Sequence, residues 1–391
     1  MSIINMIRKH AYIIALFAIV FVVYVANYVP GTWLTGWDNL HSEFNFSLNI
    51  HRSLLAVWQE YQGLGLLGGM GHASDLLREL LLYPFSFVLP QSFLRYFFHF
   101  VMLFVGVFGV YTILDTLLLA HSPKRMGKKA AFLGALFYLL NLGTIQYFYT
   151  PFEPYSTFWG MFPWELSVFF RYLNAPTKRN LFVLAIVNLL ATPQGYVQTI
   201  LLVYMLCLVA ISAVVYWQQK SKAVVAKLLK VFVVIFLVNA FWLLPNLYFV
   251  ATNVSVTQNS MHNILDTEKF FEQNKRRGTI QDFMMLKEFN YDFFTTLPTG
   301  QTVFLLQGWR NHIESPLPTI LGILFFVVIV CGLLQKNKYR PSLWALSGIL
   351  LIAFLSNTPL VSLINDVFRH VPLVNQIFRN PFSKFIVPAI S

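Results

Sequence analysis

The segment from residue 36 to residue 43 groups ionisable side chains beside a membrane boundary. Asp38, His41 and Glu43 lie within six residues, shortly after the first long apolar stretch of the chain. Ionisable groups at a hydrocarbon edge cost least when they face water, so their presence there suggests a function. Asp38 can serve as a general base that takes a proton from an incoming hydroxyl group, a role that needs a carboxylate within hydrogen-bond reach.

Other interpretations of this segment remain open. Asp38 can instead cap the helix predicted after Trp37 by accepting backbone hydrogen bonds, and a cap does not exclude catalysis. Asp38 and Glu43 would also suit a Mg or Mn ion together with water and phosphate oxygens, because hard divalent cations prefer oxygen ligands. On a helix, His41 shares a face with Asp38, so we assign it to substrate or phosphate binding.

Composition predicts a polytopic membrane protein. The 391 residues are 57% hydrophobic and 11% charged, against about 25% charged residues in soluble domains. The net charge of +12 does not indicate nucleic acid, because 15 of the 28 Lys and Arg form five short clusters between apolar segments. Such clusters mark cytoplasmic loops, and they fall at residues 8–9, 124–129, 178–179, 220–230 and 336–340. They predict a cytoplasmic N-terminus and place 15 of the 16 acidic residues on the outer side.

The hydropathy pattern predicts an all-α fold in a single membrane domain over residues 1–391. We expect about nine complete transmembrane helices, at residues 11–29, 94–119, 130–149, 155–174, 180–192, 196–217, 230–250, 317–335 and 342–357. A tenth begins after residue 380 and stops at Ser391, so we expect the natural chain to continue. The first outer loop, 30–93, should contain amphipathic helices in the interface, with 76–89 dipping into the bilayer. The second long outer loop, 251–316, should contain a helix near 266–288.

Four further residues are candidates for substrate or phosphate binding. Glu153 is an outer carboxylate close to the membrane that can face Asp38 across a cleft, and the alternative is a solvated loop acid. Gln194 and Tyr196 flank a break in an apolar stretch, which is tolerated where backbone lines a cavity, although such side chains also contact neighbouring helices. Arg379 can present a bidentate fork to a lipid phosphate, and the alternative is ordinary snorkelling at the interface.

Several short motifs resemble a known class of enzymes. With a carboxylate in the first outer loop, after the first helix, the chain resembles the GT-C class of membrane glycosyltransferases. The layout resembles more particularly the membrane part of the α-(1→3)-arabinofuranosyltransferase type and the related YfhO-type bacterial proteins, on the segments 36–40 (GWDNL), 193–196 (PQGY), 305–309 (LLQGW) and 378–382 (FRNPF). The resemblance implies that Asp38 is the catalytic base. It also implies further helices and outer carbohydrate-binding modules beyond the C-terminal end, and it does not imply a particular sugar.

These features together predict a glycosyltransferase at the outer face of the plasma membrane. Nucleotide-activated sugars are scarce there, so the expected donor is a polyprenyl-phosphate-linked sugar and the expected acceptor is a glycan or lipid of the cell envelope. One alternative is a lipid or glycolipid transporter or flippase, which would carry paired acids and bases at mid-bilayer depth. The predicted spans hold few charges, mainly Glu165 and Asp115. A non-catalytic membrane protein of envelope assembly is the other alternative.

Overall fold

The structure is a computed structural model that describes most of the chain. The described residues are 3–36, 41–55, 58–59, 66–67, 71–119, 123–259, 261–287, 289–371 and 374–391. Asp38, the predicted catalytic base, lies outside them.

Helices make up nearly all of the described chain. The first nine are α1 (Ile3–Asn27), α2 (Phe46–Leu54), α3 (His72–Leu82), α4 (Gln91–Ile113), α5 (Lys124–Leu140), α6 (Leu142–Tyr149), α7 (Glu153–Asn174), α8 (Lys178–Leu190) and α9 (Gln198–Gln219). The others are α10 (Lys222–Gln258), α11 (Met261–Arg276), α12 (Ile280–Met284), α13 (Gln307–Ile313), α14 (Pro316–Leu334), α15 (Arg340–Phe354), α16 (Pro359–His370), α17 (Val374–Phe378) and α18 (Pro381–Ile390). Two small antiparallel pairs join β1 (Trp58–Gln59) to β2 (Leu66–Leu67) and β3 (Phe294–Thr296) to β4 (Thr302–Phe304).

The structure confirms an all-α membrane protein but not the predicted number of spans. Within the described residues, five helices are long and apolar enough to cross a bilayer, namely α1, α4, α9, α10 and α14. The number rises to seven if two bent pairs each count as one span, α5 with α6 at 43° and α15 with α16 at 81°. The prediction of nine complete spans and the start of a tenth is therefore wrong.

Two predicted spans account for the difference. Helix α7 is 22 residues long, but it contains Pro163 and Glu165 and buries most of its side chains against other helices. It is consequently less apolar than a helix that faces lipid. Helix α8 has only 13 residues, which is short of the about 20 needed to cross. The segment Thr192–Tyr196, which we call the α8–α9 break, follows it where the sequence predicted an interruption.

Helices α4 and α7 form the centre of the bundle and run parallel. His99 Nδ1 lies 2.6 Å from Ser156 Oγ near one end, and Trp164 Nε1 donates to the carbonyl oxygen of Val105 at 2.8 Å further along. A Cβ added to Gly106 would lie 2.3 Å from the Trp159 ring. The absence of a side chain at Gly106 therefore lets the two helices approach closely.

Replacing Gly106 with alanine should destabilise the bundle by about 1–3 kcal/mol, the usual cost of overpacking a core. Gly348→Ala on α15 is the matched control, because nothing lies within 4 Å of a Cβ added there and alanine favours a helix. Denaturant unfolding of both variants in detergent, followed by tryptophan fluorescence, measures the difference. Equal stabilities would contradict the close packing of α4 on α7.

The ends of α1, α4 and α7 identify one end of the bundle. The Tyr28 ring, just after α1, lies 5.0 Å from the Tyr96 ring in the first turns of α4, and α7 begins beside this part of α4. We call this end the loop-1 end, because the chain between α1 and α4 lies there. The amphipathic helices expected in that loop are confirmed as α2 and α3.

Helix α3 reaches from the loop-1 end to the α8–α9 break. A Cβ added to Gly71, immediately before α3, would lie 2.3 Å from the Tyr196 Cα atom. Ala73 and Trp242 form a small buried cluster next to this contact. The sequence predicted that residues 76–89 would dip inward, and the contact with the break is instead made by the N-terminal end of α3.

The second long loop differs from its prediction in one respect. The expected single helix near 266–288 is interrupted at Gly278, between α11 and α12. Gly278 has φ +76°, and a Cβ there would lie 2.3 Å from Ser356 Oγ. The left-handed backbone and the close approach both require glycine, so the helix ends before this residue.

Candidate functional site

A buried group of two arginines and three carboxylates lies at the loop-1 end. It consists of Glu43, Asp75, Arg78, Arg95 and Glu153, which we call the ion network. All five side chains are almost completely excluded from solvent. Buried charges persist only when they are paired and hydrogen-bonded, so the partners of each residue decide whether the arrangement is stable.

Arg78 joins α3 to the segment that follows residues 37–40. Its Nε and Nη2 atoms donate to the two carboxylate oxygens of Asp75, each at 2.7 Å. Its Nη1 atom donates to Glu43 Oε1 at 2.6 Å, and Nη2 also donates to Ser42 Oγ at 3.0 Å. The bidentate geometry uses the planar guanidinium fork, which a lysine could not reproduce.

Arg95 connects the loop to the two central helices. Its Nε atom donates to the carbonyl oxygen of Leu34 at 2.5 Å, and its Nη1 atom donates to Glu153 Oε1. The same Nη1 lies 3.6 Å from Glu43 Oε2. In the sequence, Leu34 precedes residues 37–40 and Glu43 follows them. One guanidinium therefore contacts the chain both before and after these residues.

Local structure explains why these side chains meet. His41 adopts φ 50° and ψ 39° and begins a short 3-10 turn over Ser42–Phe44, which buries Glu43. Arg95 lies near the start of α4, and Glu153 is the first residue of α7. Because α4 and α7 are parallel, their first turns are adjacent at the loop-1 end. An acidic residue in the first turn of α7 is also favoured by the helix dipole.

The charge states follow from burial and from the arginines. Burial raises the pKa of Glu43, but Arg78 and then Arg95 more than offset it, so the net pKa lies below its ordinary value. Glu43 is therefore ionised at neutral pH. Burial and the positive charge of Arg95 together lower the pKa of His41, so His41 is neutral there. Its buried Nδ1 atom has no hydrogen-bond partner among the described residues.

Glu79 is a further carboxyl group on α3, one turn after Asp75. Ser53 Oγ donates to its Oε2 at 2.9 Å. Burial, and then the negative charge of Asp75, raise the pKa of Glu79 to about 7. It consequently changes charge within the physiological range, unlike Glu43.

The raised pKa of Glu79 predicts a pH-dependent stability. Its protonated form is favoured in the folded protein, so its contribution is complete below the unfolded pKa near 4.5 and is lost as pH rises through about 7. Linkage gives a loss on the order of 3 kcal/mol across that window. Glu79→Gln should remove this part of the pH dependence, measured by unfolding at pH 5 and pH 8. An unchanged slope would contradict the assignment to Glu79.

The structure brings several predicted site residues together. His41 lies close enough to Glu43, Arg95 and Glu153 for their charges to act on its pKa. The predicted position of Glu153 opposite Asp38 stays a prediction, because Asp38 lies outside the described residues. Among those residues, Glu153 pairs with Arg95, which also lies 3.6 Å from Glu43 of the first loop. The Oε2 atom of Glu153 has no hydrogen-bond partner among the described residues. Glu153 is fully buried, so it is not a solvated loop acid.

Gln194 and Tyr196 lie on the α8–α9 break as predicted, with different neighbours. Gln194 Nε2 donates to Glu165 Oε1 at 2.8 Å, and both residues are buried. The Tyr196 ring lies 5.5 Å from the His72 ring and 6.1 Å from the Phe152 ring. Tyr196 thereby contacts both α3 and the residue before Glu153, next to the ion network.

Arg379 has its described partners in the second long loop. Its Nη1 atom donates to Asn263 Oδ1 at 3.2 Å, and its guanidinium lies 5.6 Å from the centre of the Phe270 ring. These contacts are with α11. Its predicted contact with a lipid phosphate stays a prediction.

The predicted Mg or Mn site rests on Asp38 and Glu43. Asp38 lies outside the described residues, and both oxygens of Glu43 face guanidinium groups. Within the described part of the chain, no group of three His, Cys, Asp or Glu residues is arranged to hold a metal. Glu43 is already paired with two arginines, which makes it a poor ligand for a metal ion.

Sequence reasoning missed Asp75, Arg78 and Arg95. A usable signal existed for Arg95, since an arginine in an apolar span usually faces the bundle interior and has a partner. Asp75 and Arg78 are three apart on an amphipathic helix, a spacing that also describes an ordinary surface pair. Arg78 pairs with Glu43, 35 residues away along the chain, and no local pattern predicts that contact.

The fold identifies the general class of this protein, whereas comparisons with known proteins identify no family. The described chain is an all-α protein with several helices able to cross a membrane. No protein-family model matches the chain, and neither the curated proteins nor the solved structures gave a significant match.

Proposed function

We propose that this protein is a membrane glycosyltransferase that uses a polyprenyl-phosphate-linked sugar. The acceptor is a glycan or lipid of the cell envelope, and the reaction takes place at the outer face. One observation carries the proposal: Arg95 contacts Leu34, which precedes residues 37–40, and Glu43, which follows them, and it also pairs with Glu153 at the start of α7. A general base must be held in position to be effective, and fixed residues on both sides of Asp38 in the sequence favour this role.

In the proposed reaction, Asp38 takes the proton from an acceptor hydroxyl group. The hydroxyl oxygen attacks the anomeric carbon of the donor, and the bond between that carbon and the phosphate oxygen breaks. The phosphate leaves with the electron pair and remains on the polyprenyl lipid. His41 and Glu153 stay the predicted sugar-binding residues; their atoms that have no hydrogen-bond partner among the described residues are buried, so a sugar would reach them only after the first loop moves. Arg379 stays the predicted partner of the phosphate.

The test is to incubate the protein, in lipid vesicles, with a panel of polyprenyl-phosphate sugars and an envelope-glycan acceptor. The expected result is release of polyprenyl phosphate with one donor. Asp38→Asn should reduce this release by about 10²–10⁴-fold, the usual contribution of a general base. Asp115→Asn is the matched control, since Asp115 lies beyond the far end of α4. Normal transfer by Asp38→Asn would remove the base assignment.

A second function, transport of a lipid-linked glycan, is favoured by Glu165. This acid is buried beside the α8–α9 break and pairs with Gln194, and its Oε2 atom has no hydrogen-bond partner among the described residues. Buried acids at broken helices are typical of transporters. Movement of a fluorescent polyprenyl-phosphate sugar across the vesicle membrane without release of the sugar would favour transport.

A further inference from the structure

The second long loop forms a partly open cavity of about 170 Å³ between α12 and α13. We propose that this cavity binds one neutral sugar unit, through charged and amide side chains that alternate as hydrogen-bond donors and acceptors. The volume is well below the roughly 300–1,000 Å³ of sites for drug-sized ligands. It therefore suits a single sugar ring rather than a lipid chain or a long oligosaccharide.

The charges that line the cavity balance one another. Lys287 and Arg310 are positive, and Asp282 and Glu314 are negative. A cavity without net charge does not select for a phosphate or an amine. Sugar hydroxyl groups both donate and accept hydrogen bonds, so they can use cationic donors and carboxylate acceptors at once. Gln281 adds an amide with both functions.

Arg310 is held in place before any ligand binds. Its Nη1 atom donates to the carbonyl oxygen of Tyr291 at 2.8 Å, and its Nε atom lies 2.9 Å from Glu314 Oε1. The guanidinium also stacks over the Phe304 ring at 4.0 Å from the ring centre. Because the Arg310 side chain is already fixed, it loses little conformational entropy when a ligand binds.

Lys287 and Asp282 leave room for a ligand hydroxyl group. Lys287 Nζ lies 3.8 Å from Asp282 Oδ1, which is longer than a hydrogen bond. The other carboxylate oxygen, Oδ2, accepts from Thr279 Oγ1 at 2.8 Å and keeps the side chain oriented. A hydroxyl oxygen placed beside this pair can accept from the ammonium group and donate to Oδ1.

The cavity lies at the same end of the bundle as the ion network. Gln146 Nε2 on α6 donates to the carbonyl oxygen of Leu286 at 3.0 Å, next to the cavity residue Lys287. Helix α6 leads directly into Glu153 at the start of α7. The role of the site, to hold the acceptor glycan during transfer, rests on the proposed function. The binding of a neutral sugar does not.

The experiment measures binding of methyl glycosides to the full chain in detergent by saturation-transfer NMR. The probes are the neutral methyl glycosides of glucose, galactose, mannose and arabinose, with glucuronate and glucose 1-phosphate as charged comparators. We expect at least one neutral glycoside to bind. Lys287→Gln and Gln281→Ala should each weaken its binding at least about threefold, as expected for one lost hydrogen bond. Lys336→Gln and Gln335→Ala, exposed beyond the end of α14, should leave binding unchanged.

Each outcome bears on the inference. No binding of any neutral glycoside, tighter binding of the charged comparators, or equal effects of the cavity and control variants would overturn it. Thermal unfolding of each variant confirms that lost binding is not lost folding. Glycoside binding that persists in Asp38→Asn separates the two proposals, because the site then survives whether or not the protein transfers sugar. Transfer without glycoside binding would reject the cavity alone.

Discussion

Replacing Arg95 with methionine should lower the free energy of unfolding by about 3–5 kcal/mol, the cost of removing one partner from a buried ion pair. Glu153 is fully buried, and its Oε1 atom accepts from Arg95, so the variant leaves a buried carboxylate without that cation. The carbonyl oxygen of Leu34 loses its donor as well. Urea unfolding in detergent, followed by circular dichroism, measures the change.

A second substitution distinguishes lost pairing from lost packing. If the unpaired charge of Glu153 causes the effect, adding Glu153→Gln to the methionine variant should recover a large part of the stability. Arg171→Met, at an exposed position on α7, is the control and should change stability by less than about 0.5 kcal/mol. Additive losses in the double variant would show that the charge pair contributes little.

Replacing Arg78 with methionine should destabilise the protein by a similar amount, again about 3–5 kcal/mol, and the loss should depend on pH. The variant leaves Asp75 and Glu43 buried without the cation that binds both. Unpaired buried carboxyl groups hold their protons more tightly. Their destabilising effect is therefore largest at neutral pH and decreases as pH falls and they become neutral.

Unfolding of the Arg78→Met variant at pH 7.5 and pH 4.5 tests this sign. The difference from the unchanged protein should be smaller at pH 4.5. Arg276→Met, at an exposed position on α11, is the control and should show no such change. A deficit that is equal at both pH values would indicate that Arg78 acts through packing on Phe98, which lies 5.2 Å below its guanidinium.

Structural features that depend on residues close together in the sequence were predicted correctly. Pro193 and Gly195 interrupt an apolar stretch, and the structure has the α8–α9 break there. The apolar spacing in the first loop, which includes Leu48 and Leu54, likewise predicted a helix where α2 lies. In each case the signal is local, because a proline or an apolar stripe acts on the backbone within a turn or two.

Features that depend on distant residues were not predicted. Helix α7 was counted as a span from its length, although it contains Pro163 and Glu165 and most of its side chains pack against other helices. Arg95 and Glu153 are 58 residues apart in the chain, and no local pattern joins them. The arginine that links Glu153 to the first loop was found only in three dimensions.

The separation of Arg95 from Glu153 also has a consequence for biosynthesis. A ribosome adds about 5–20 residues per second, so the 58 residues between them take about 3–12 s to make. During that interval Arg95 has Glu43 available as a carboxylate partner but not Glu153. The contact of Gly71 with Tyr196 forms later still, because Tyr196 follows Glu153 in the chain. The first loop therefore makes all of its final contacts only after the α8–α9 break has been synthesised.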